Sequence, residues 1–178
     1  LLRFRDTEIP LGAFLFSGWK KSVIAIIKQE KKEITMIIKQ VNVFLENQTG
    51  TLSSAMDAVA DAGINVSALS LADNAEFGLL RLIVDNPEAG KQALEDAGMF
   101  VRITPVVAVA MEDVPGGARA VLKVLADAGR NIEYMYAFVG KESGKALTVL
   151  CTDDNEAAEK ILGASGFNKV NPKDVYRV

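Results

Sequence analysis

Apolar and polar positions along this chain switch between two periods, and the switches come in the same order twice. Residues 36–46 are β-rich, with Val41, Val43 and Leu45 alternating with Asn42 and Phe44, as a strand with one buried face does. Asn47, Gln48, Thr49 and Gly50 make a turn by composition. Leu52, Ala55, Met56 and Val59 then follow helical spacing, with Thr49 or Thr51 as the expected cap and Gly63 as the stop. Residues 66–71 read as a strand, 73–76 as a hairpin turn and 78–84 as its partner. Pro87 suits the first turn of a second helix, with Ala89, Ala93, Leu94 and Ala97 inward and Gly98 ending it. Residues 101–104 close the unit as a strand.

The order β-α-β-β-α-β then repeats. Residues 106–112 form a strand, Pro115, Gly116 and Gly117 a turn, and 118–128 a helix. Strands at 132–139 and 146–152, a helix at 155–164 and a last strand near 175–178 complete the second copy. The copies also agree in sequence: Ala60-Asp61-Ala62-Gly63 recurs as Ala126-Asp127-Ala128-Gly129, Val41 falls on Val107, Gly50 on Gly116 and Asn65 on Asn131. A period of about 66 residues, slipping by about two further along, is too long for a solenoid unit and right for a small domain used twice. The expected fold is α+β: two ferredoxin-like domains, residues 36–104 and 105–178. Each would have a four-stranded antiparallel sheet with both helices on one face. Thr104-Pro105-Val106 leaves no linker, so the domains must lie edge to edge or exchange strands. Pro105 has no N–H to donate and is expected to stay out of any central ladder.

Composition removes several kinds of chemistry. The chain has no His and one Cys, which leaves no Ser-His-Asp or Cys-His nucleophile and no zinc or haem site. Cys151 sits in an apolar run and reads as a small buried hydrophobe in a reducing cytoplasm. A formal charge of −3 opposes a nucleic-acid surface. No apolar stretch reaches the roughly 20 residues of a membrane helix. No metal, cofactor, nucleic acid or membrane is expected.

Residues 1–35 stand outside the repeat. They carry seven basic and four acidic side chains and the single tryptophan, Trp19, beside Phe4, Phe14 and Phe16. Their apolar stretches, 9–16 and 23–27, are short and divided by Lys20-Lys21. The first methionine is Met36, and Lys28-Gln29-Glu30-Lys31-Lys32-Glu33 before it would be encoded mostly by purines, as a bacterial ribosome-binding site is. Residues 1–35 are therefore expected to be translated upstream DNA. A docking peptide and a loosely packed extension are the alternatives.

The candidate site lies where the copies agree. The turn Asp113, Val114, Pro115, Gly116, Gly117, Ala118 follows a strand and opens a helix. Its copy-one counterpart, Asn47, Gln48, Thr49, Gly50, Thr51, Leu52, keeps the glycine and lacks the Asp and Pro. Glycine lets a ligand approach the backbone, and free N–H groups at a helix start attract a carboxylate. An Asn at the following strand start, in Gly63-Ile64-Asn65-Val66 and Gly129-Arg130-Asn131-Ile132, can accept from an ammonium group. Each feature also has a plainer reading: Gly50 and Gly116 as turn glycines, Asn65 and Asn131 as turn caps, and Tyr134, Tyr136 and Phe138 as core or interface aromatics.

Together these motifs resemble the ACT domain, a small regulatory module that binds amino acids in many metabolic enzymes and regulators, over residues 36–178. The resemblance implies a free amino acid or similar small metabolite as ligand. It also implies a homodimer, and a partner enzyme or regulator acted upon in trans by a chain that is itself no enzyme. In that family the loop and the strand start come from different domains. Residues 47–52 are thus expected opposite Asn131, Ile132 and Tyr134, and residues 113–118 opposite Asn65 and Val66, within one chain or between two. The copy-two loop is expected to bind better, because Pro115 fixes φ and Gly116-Gly117 opens the backbone to the ligand. The rival expectation is an assembly module with vestigial sites.

Overall fold

The computed structural model describes residues 2–4, 7–9, 35–73, 77–139, 144–167, 170 and 175–176. The chain divides into two units, Leu1–Ile34 and Thr35–Val178. In the first, strands β1 (Leu2–Phe4) and β2 (Thr7–Ile9) pair antiparallel. Trp19, Phe14, Phe16 and the apolar stretch 23–27 lie outside the described residues, as do positions 74–76 of the copy-one hairpin turn.

The second unit runs β3 (Ile37–Glu46), α1 (Thr51–Asp61), β4 (Val66–Asp73), β5 (Phe77–Val84), α2 (Pro87–Asp96), β6 (Phe100–Glu112), α3 (Gly117–Asp127), β7 (Ile132–Val139), β8 (Lys145–Thr152) and α4 (Asn155–Ala164). Its strands form one six-stranded sheet in the order β4-β5-β3-β6-β8-β7, and every neighbouring pair is antiparallel. The two expected four-stranded sheets are thus fused, because two strands each serve both copies. Phe100–Phe44 to Ile103–Val41 close copy one, while Val107–Leu150 to Glu112–Lys145 open copy two on the same strand β6. The fourth-strand place of copy two, expected near residues 175–178, is filled by the first half of β3, where Ile37 pairs with Val107 and Ile38 with Val106. Glu159 on α4 anchors that half, accepting from the Met36 N–H at 2.7 Å and the Thr35 hydroxyl at 2.8 Å. Val175 and Tyr176 make a helical turn instead, and residues 177–178 lie outside the described residues.

Pro105 sits inside the central ladder, opposite Lys39, against expectation. The Lys39 N–H turns away from β6 to donate to the Tyr176 hydroxyl at 2.9 Å, so this pair requires no N–H from Pro105. On the other side, β8 stops pairing with β6 at Leu150–Val107. The Asn155 side chain bridges the gap, donating to the Pro105 carbonyl at 2.9 Å and accepting from the Thr152 N–H at 2.8 Å. A side-chain amide thus replaces the rung that proline cannot make.

The alternation along each strand sorts side chains into three cores. Val41, Val43, Leu45, Leu80 and Leu82 pack beneath α1 and α2 with Ala55, Val59 and Leu94. Val107, Val109 and Leu150 pack beneath α3 and α4 with Val121, Leu125 and Leu162. Fully burying one such side chain contributes about 1.5–3 kcal/mol. Ala97, expected inward, is exposed. The third core, on the helix-free face, joins Ile38, Ile83, Val106, Val149 and Cys151 with Val170 and Val175, and Tyr134, Tyr136 and Phe138 pack against it.

Candidate ligand site at the two strand-to-helix loops

The loops after β3 and β6 are built alike. Gly50 and Gly116 each take φ 93° as the residue before a helix, and neither helix start has a side-chain cap. The expected Thr49 or Thr51 cap is therefore not made; backbone bonds serve instead. Thr51 N–H donates to Gln48 O at 3.3 Å, and Gly117 N–H to Val114 O at 2.9 Å. One turn on, Ser54 N–H donates to Gly50 O and Ala120 N–H to Gly116 O. That leaves the N–H groups of Leu52 and Ser53, and of Ala118 and Arg119, as first-turn donors with no intrahelical acceptor. Neither first turn carries an acidic side chain, so each presents the positive end of its helix.

A left-handed φ disfavours any side chain that carries a Cβ, and nothing stands within 4 Å of where a Cβ on Gly50 or Gly116 would be. Gly117 is different. A Cβ there would lie 2.0 Å from the carbonyl oxygen of Glu112, so the bare backbone of Gly117 lets the loop close against β6. Copy one holds Thr51, half-buried, at the matching place. Asn47, Gln48 and Thr49 are exposed, with Gln48 donating to Glu46 at 2.9 Å. Asp113, Val114 and Pro115 are exposed too, the Asp113 N–H donating to Gly144 O at 2.9 Å.

The two strand starts also match. Asn65 N–H donates to Asp85 Oδ1 and Asn131 N–H to Asp153 Oδ1, both at 3.2 Å, and each asparagine carbonyl accepts the aspartate N–H in return. The two asparagines are exposed. Val66 packs against the copy-one core and Ile132 against the copy-two core.

The sheet does not bring loop and strand start together within one chain. Val66 pairs with Val84 and Ile132 with Thr152, which places both asparagines near the level of Lys39–Pro105, on opposite edges. The loops lie at opposite ends. The stretch from Lys39 to Asn47, at ~3.3 Å per residue, separates one loop from the other copy's strand start by on the order of 25 Å. The expected facing pairs are therefore not made inside a chain.

Tyr134 belongs to a different neighbourhood, on the helix-free face. Its hydroxyl accepts from Gln40 Nε2 at 2.8 Å, while the Tyr136 hydroxyl donates to Gln40 Oε1 at 2.8 Å. Gln40 Nε2 also donates to Asn42 Oδ1 at 2.6 Å, and Asn42 Nδ2 to the Thr104 hydroxyl at 2.7 Å. The Arg81 guanidinium stacks over the Tyr134 ring at 4.1 Å. Burial, with the neighbouring Cys151 thiol, pushes the Tyr134 phenol up to about 12, and burial raises Tyr136 as well. Gln40 is fully buried. Sequence reading passed over Gln40 and Arg81; the signal was a polar or charged residue inside an otherwise apolar strand run.

Among the described residues no cluster of His, Cys, Asp and Glu is arranged to hold a metal, and no helix is long and apolar enough to cross a membrane.

Comparison with known proteins points one way. No curated protein matches the chain in sequence. The crystal structure of protein BT0572 from Bacteroides thetaiotaomicron is similar at 35% identity and TM-score 0.76, over 82% of this chain and 100% of that one. The regulatory subunit of aspartate kinase from Thermus thermophilus shares the fold at 17% identity and TM-score 0.54, over 73% of this chain and 97% of that one. Its counterpart from Thermus flavus does so at 17% identity and TM-score 0.52, over 74% and 93%. The family described as an ACT domain pair matches residues 36–178, and the chain belongs to it.

Proposed function

We propose that this chain is a regulatory protein that binds a free amino acid, or a closely similar small metabolite, and acts in trans on a metabolic enzyme or regulator. The observation that carries the reading is the matched pair of loops. In each, a left-handed glycine precedes an uncapped helix start whose free N–H groups meet no acidic side chain. A ligand carboxylate there gains hydrogen bonds and roughly 0.3–1 kcal/mol from the helix dipole. The ammonium group is assigned, by the family resemblance, to the exposed Asn65 or Asn131. The reading takes residues 36–104 and 105–178 as the paired binding unit and leaves 1–35 outside it.

Because loop and asparagine lie far apart within a chain, this reading needs two chains, the loop of one protomer opposite the strand start of the other. The homodimer is then part of the site. Ligand bound across it favours one arrangement of the protomers and changes the partner's affinity by linkage.

Calorimetry against the twenty common amino acids, run beside sedimentation, tests this. The expected result is a dimer that binds at least one of them at micromolar to millimolar levels, about −8 to −4 kcal/mol. A folded monomer that binds none overturns it. A stable dimer that binds none favours the assembly-module reading, which draws on the edge strand β4, where Leu69 and Leu71 are 55% and 46% exposed.

A further inference from the structure

The two copies differ most on the helix-free face of the sheet. In copy two, Ala108 pairs with Val149 and Val149 with Tyr136, an apolar rank in the core that Val170 and Val175 join. The matching rank of copy one is Ser70, Arg81, Asn42 and Arg102, each paired with the next across four strands. Two arginines thus stand on either side of Asn42, two strand spacings apart, on the order of 10 Å.

Neither arginine has a carboxylate partner among the described residues. The carboxylate on the same face of β3, Glu46, lies two ranks away and accepts from Gln48. Arg81 is half-buried against Tyr134, and its Nε–H is buried without an acceptor. A stacked ring offsets part of the cost of burying a guanidinium, but it satisfies none of the in-plane N–H donors. Asn42 is only 7% exposed, and both ends of its amide are already bonded, so it spaces the arginines without competing for what they bind. In a chain of net charge −3, this is a cationic patch on the helix-free face of the sheet.

The next rank outward is aromatic. Phe44 pairs with Leu79 on one side and Phe100 on the other, and the two phenyl rings lie 5.4 Å apart between centroids. Phe44 is 45% and Phe100 71% exposed. The two ranks are ~6.7 Å apart along the strands. The cationic and aromatic ranks are thus neighbours on one face, and a small molecule that carries both a carboxylate and an aromatic ring can touch both.

We propose that the helix-free face of copy one binds a small aromatic carboxylate, with Arg81 and Arg102 on the carboxylate and the Phe44–Phe100 pair on the ring. This site is separate from the loops and needs no ammonium group on its ligand. Copy two has lost or never had it, since Val149 and Ala108 stand where Arg81 and Asn42 do. Function in a duplicated chain can therefore sit where the copies disagree.

The test uses 3-phenylpropionate, which lacks the ammonium that the loop reading requires, with the whole chain followed by amide NMR shifts and calorimetry. Saturable binding at high micromolar to millimolar levels is expected, with shifts confined to β3, β5, β6 and the neighbourhood of Tyr134 on β7. Arg81→Gln should weaken it by about ten-fold or more, Arg81→Lys less, and the exposed Arg102→Gln by about three-fold or more. Lys160→Gln, the same loss of charge on the exposed side of α4, should leave it unchanged. Propionate and 3-phenylpropanol should each bind more weakly. The proposal is overturned if the folded wild type does not bind, or if folded Arg81→Lys and Arg102→Gln bind as wild type does. It is also overturned if inorganic phosphate or propionate binds as well as 3-phenylpropionate, or if Arg102→Gln alters the oligomeric state instead of binding. None of these outcomes depends on whether the loops bind an amino acid.

Discussion

Lys39 and Pro105 face each other across the two central strands, and each is the other's counterpart in the repeat. The offset that carries Val41 onto Val107 carries Lys39 onto Pro105, so the ladder pairs the same position of both copies. The pairs on either side obey the same rule: Ile37–Val107 is matched by Val41–Ile103. A pseudo-two-fold axis therefore passes between Lys39 and Pro105, and the two domains are halves of one sheet.

The bridge at this axis should be measurable. Asn155→Ala leaves the Thr152 N–H and the Pro105 carbonyl without their rung and should cost about 1–2 kcal/mol. Asn155→Asp keeps the acceptor and loses the donor, so it should fall between Ala and wild type. Urea unfolding of the three proteins checks the order. Equal midpoints would mean the bridge is worth nothing.

Gln40 should behave as a hub. Its removal strands two tyrosine hydroxyls and Asn42 in a buried setting, and Gln40→Leu should cost about 3 kcal/mol. Combined with Tyr136→Phe, the loss should be less than the sum of the single losses by about 1 kcal/mol. A double-mutant cycle showing strict additivity contradicts the network.

All three tyrosines of the chain, Tyr134, Tyr136 and Tyr176, are held above the usual phenol value, burial being the first cause in each. The neutral phenol is thus favoured in the folded state relative to the unfolded chain, where tyrosine titrates near pH 10. Their contribution to stability is complete below about pH 10 and is lost as pH climbs through the folded values, about 12 for Tyr134. Absorbance at tyrosinate wavelengths should stay low through pH 10 in the folded protein and rise together with unfolding. A full three-tyrosine titration near pH 10, with the protein still folded, would refute this.

The glycines of the copy-two loop should separate by mechanism. Gly117→Ala sets a Cβ against the Glu112 carbonyl oxygen and should destabilise by about 3 kcal/mol or more, whatever ligand is present. Gly116→Asn keeps access to the left-handed region and should cost only about 1 kcal/mol, while its side chain reaches toward the free N–H groups and weakens ligand binding. The same change at Gly50 should weaken binding less if Pro115 makes copy two the better site. Thermal midpoints and calorimetry on the three variants distinguish the cases.

Much of this protein follows from local rules that its sequence displays. The order of strands and helices from residue 36 to residue 164 and the two glycine loops are set by periods of 2 and 3.6 residues and by single turn residues. Each of these acts over a few neighbours. The family resemblance rested on those same short segments. Tertiary structure alone decided that β6 would be shared, and that the first half of β3 would serve copy two. It decided too that Pro105 would be tolerated at the axis, and that Gly117 would press on Glu112. It also joined Gln40 to Tyr134 and Tyr136, 94 and 96 residues apart in the chain. These outcomes depend on which strand edge meets which and on what then covers each face. No local period encodes that choice, because every antiparallel edge offers the same backbone donors and acceptors until packing selects among them.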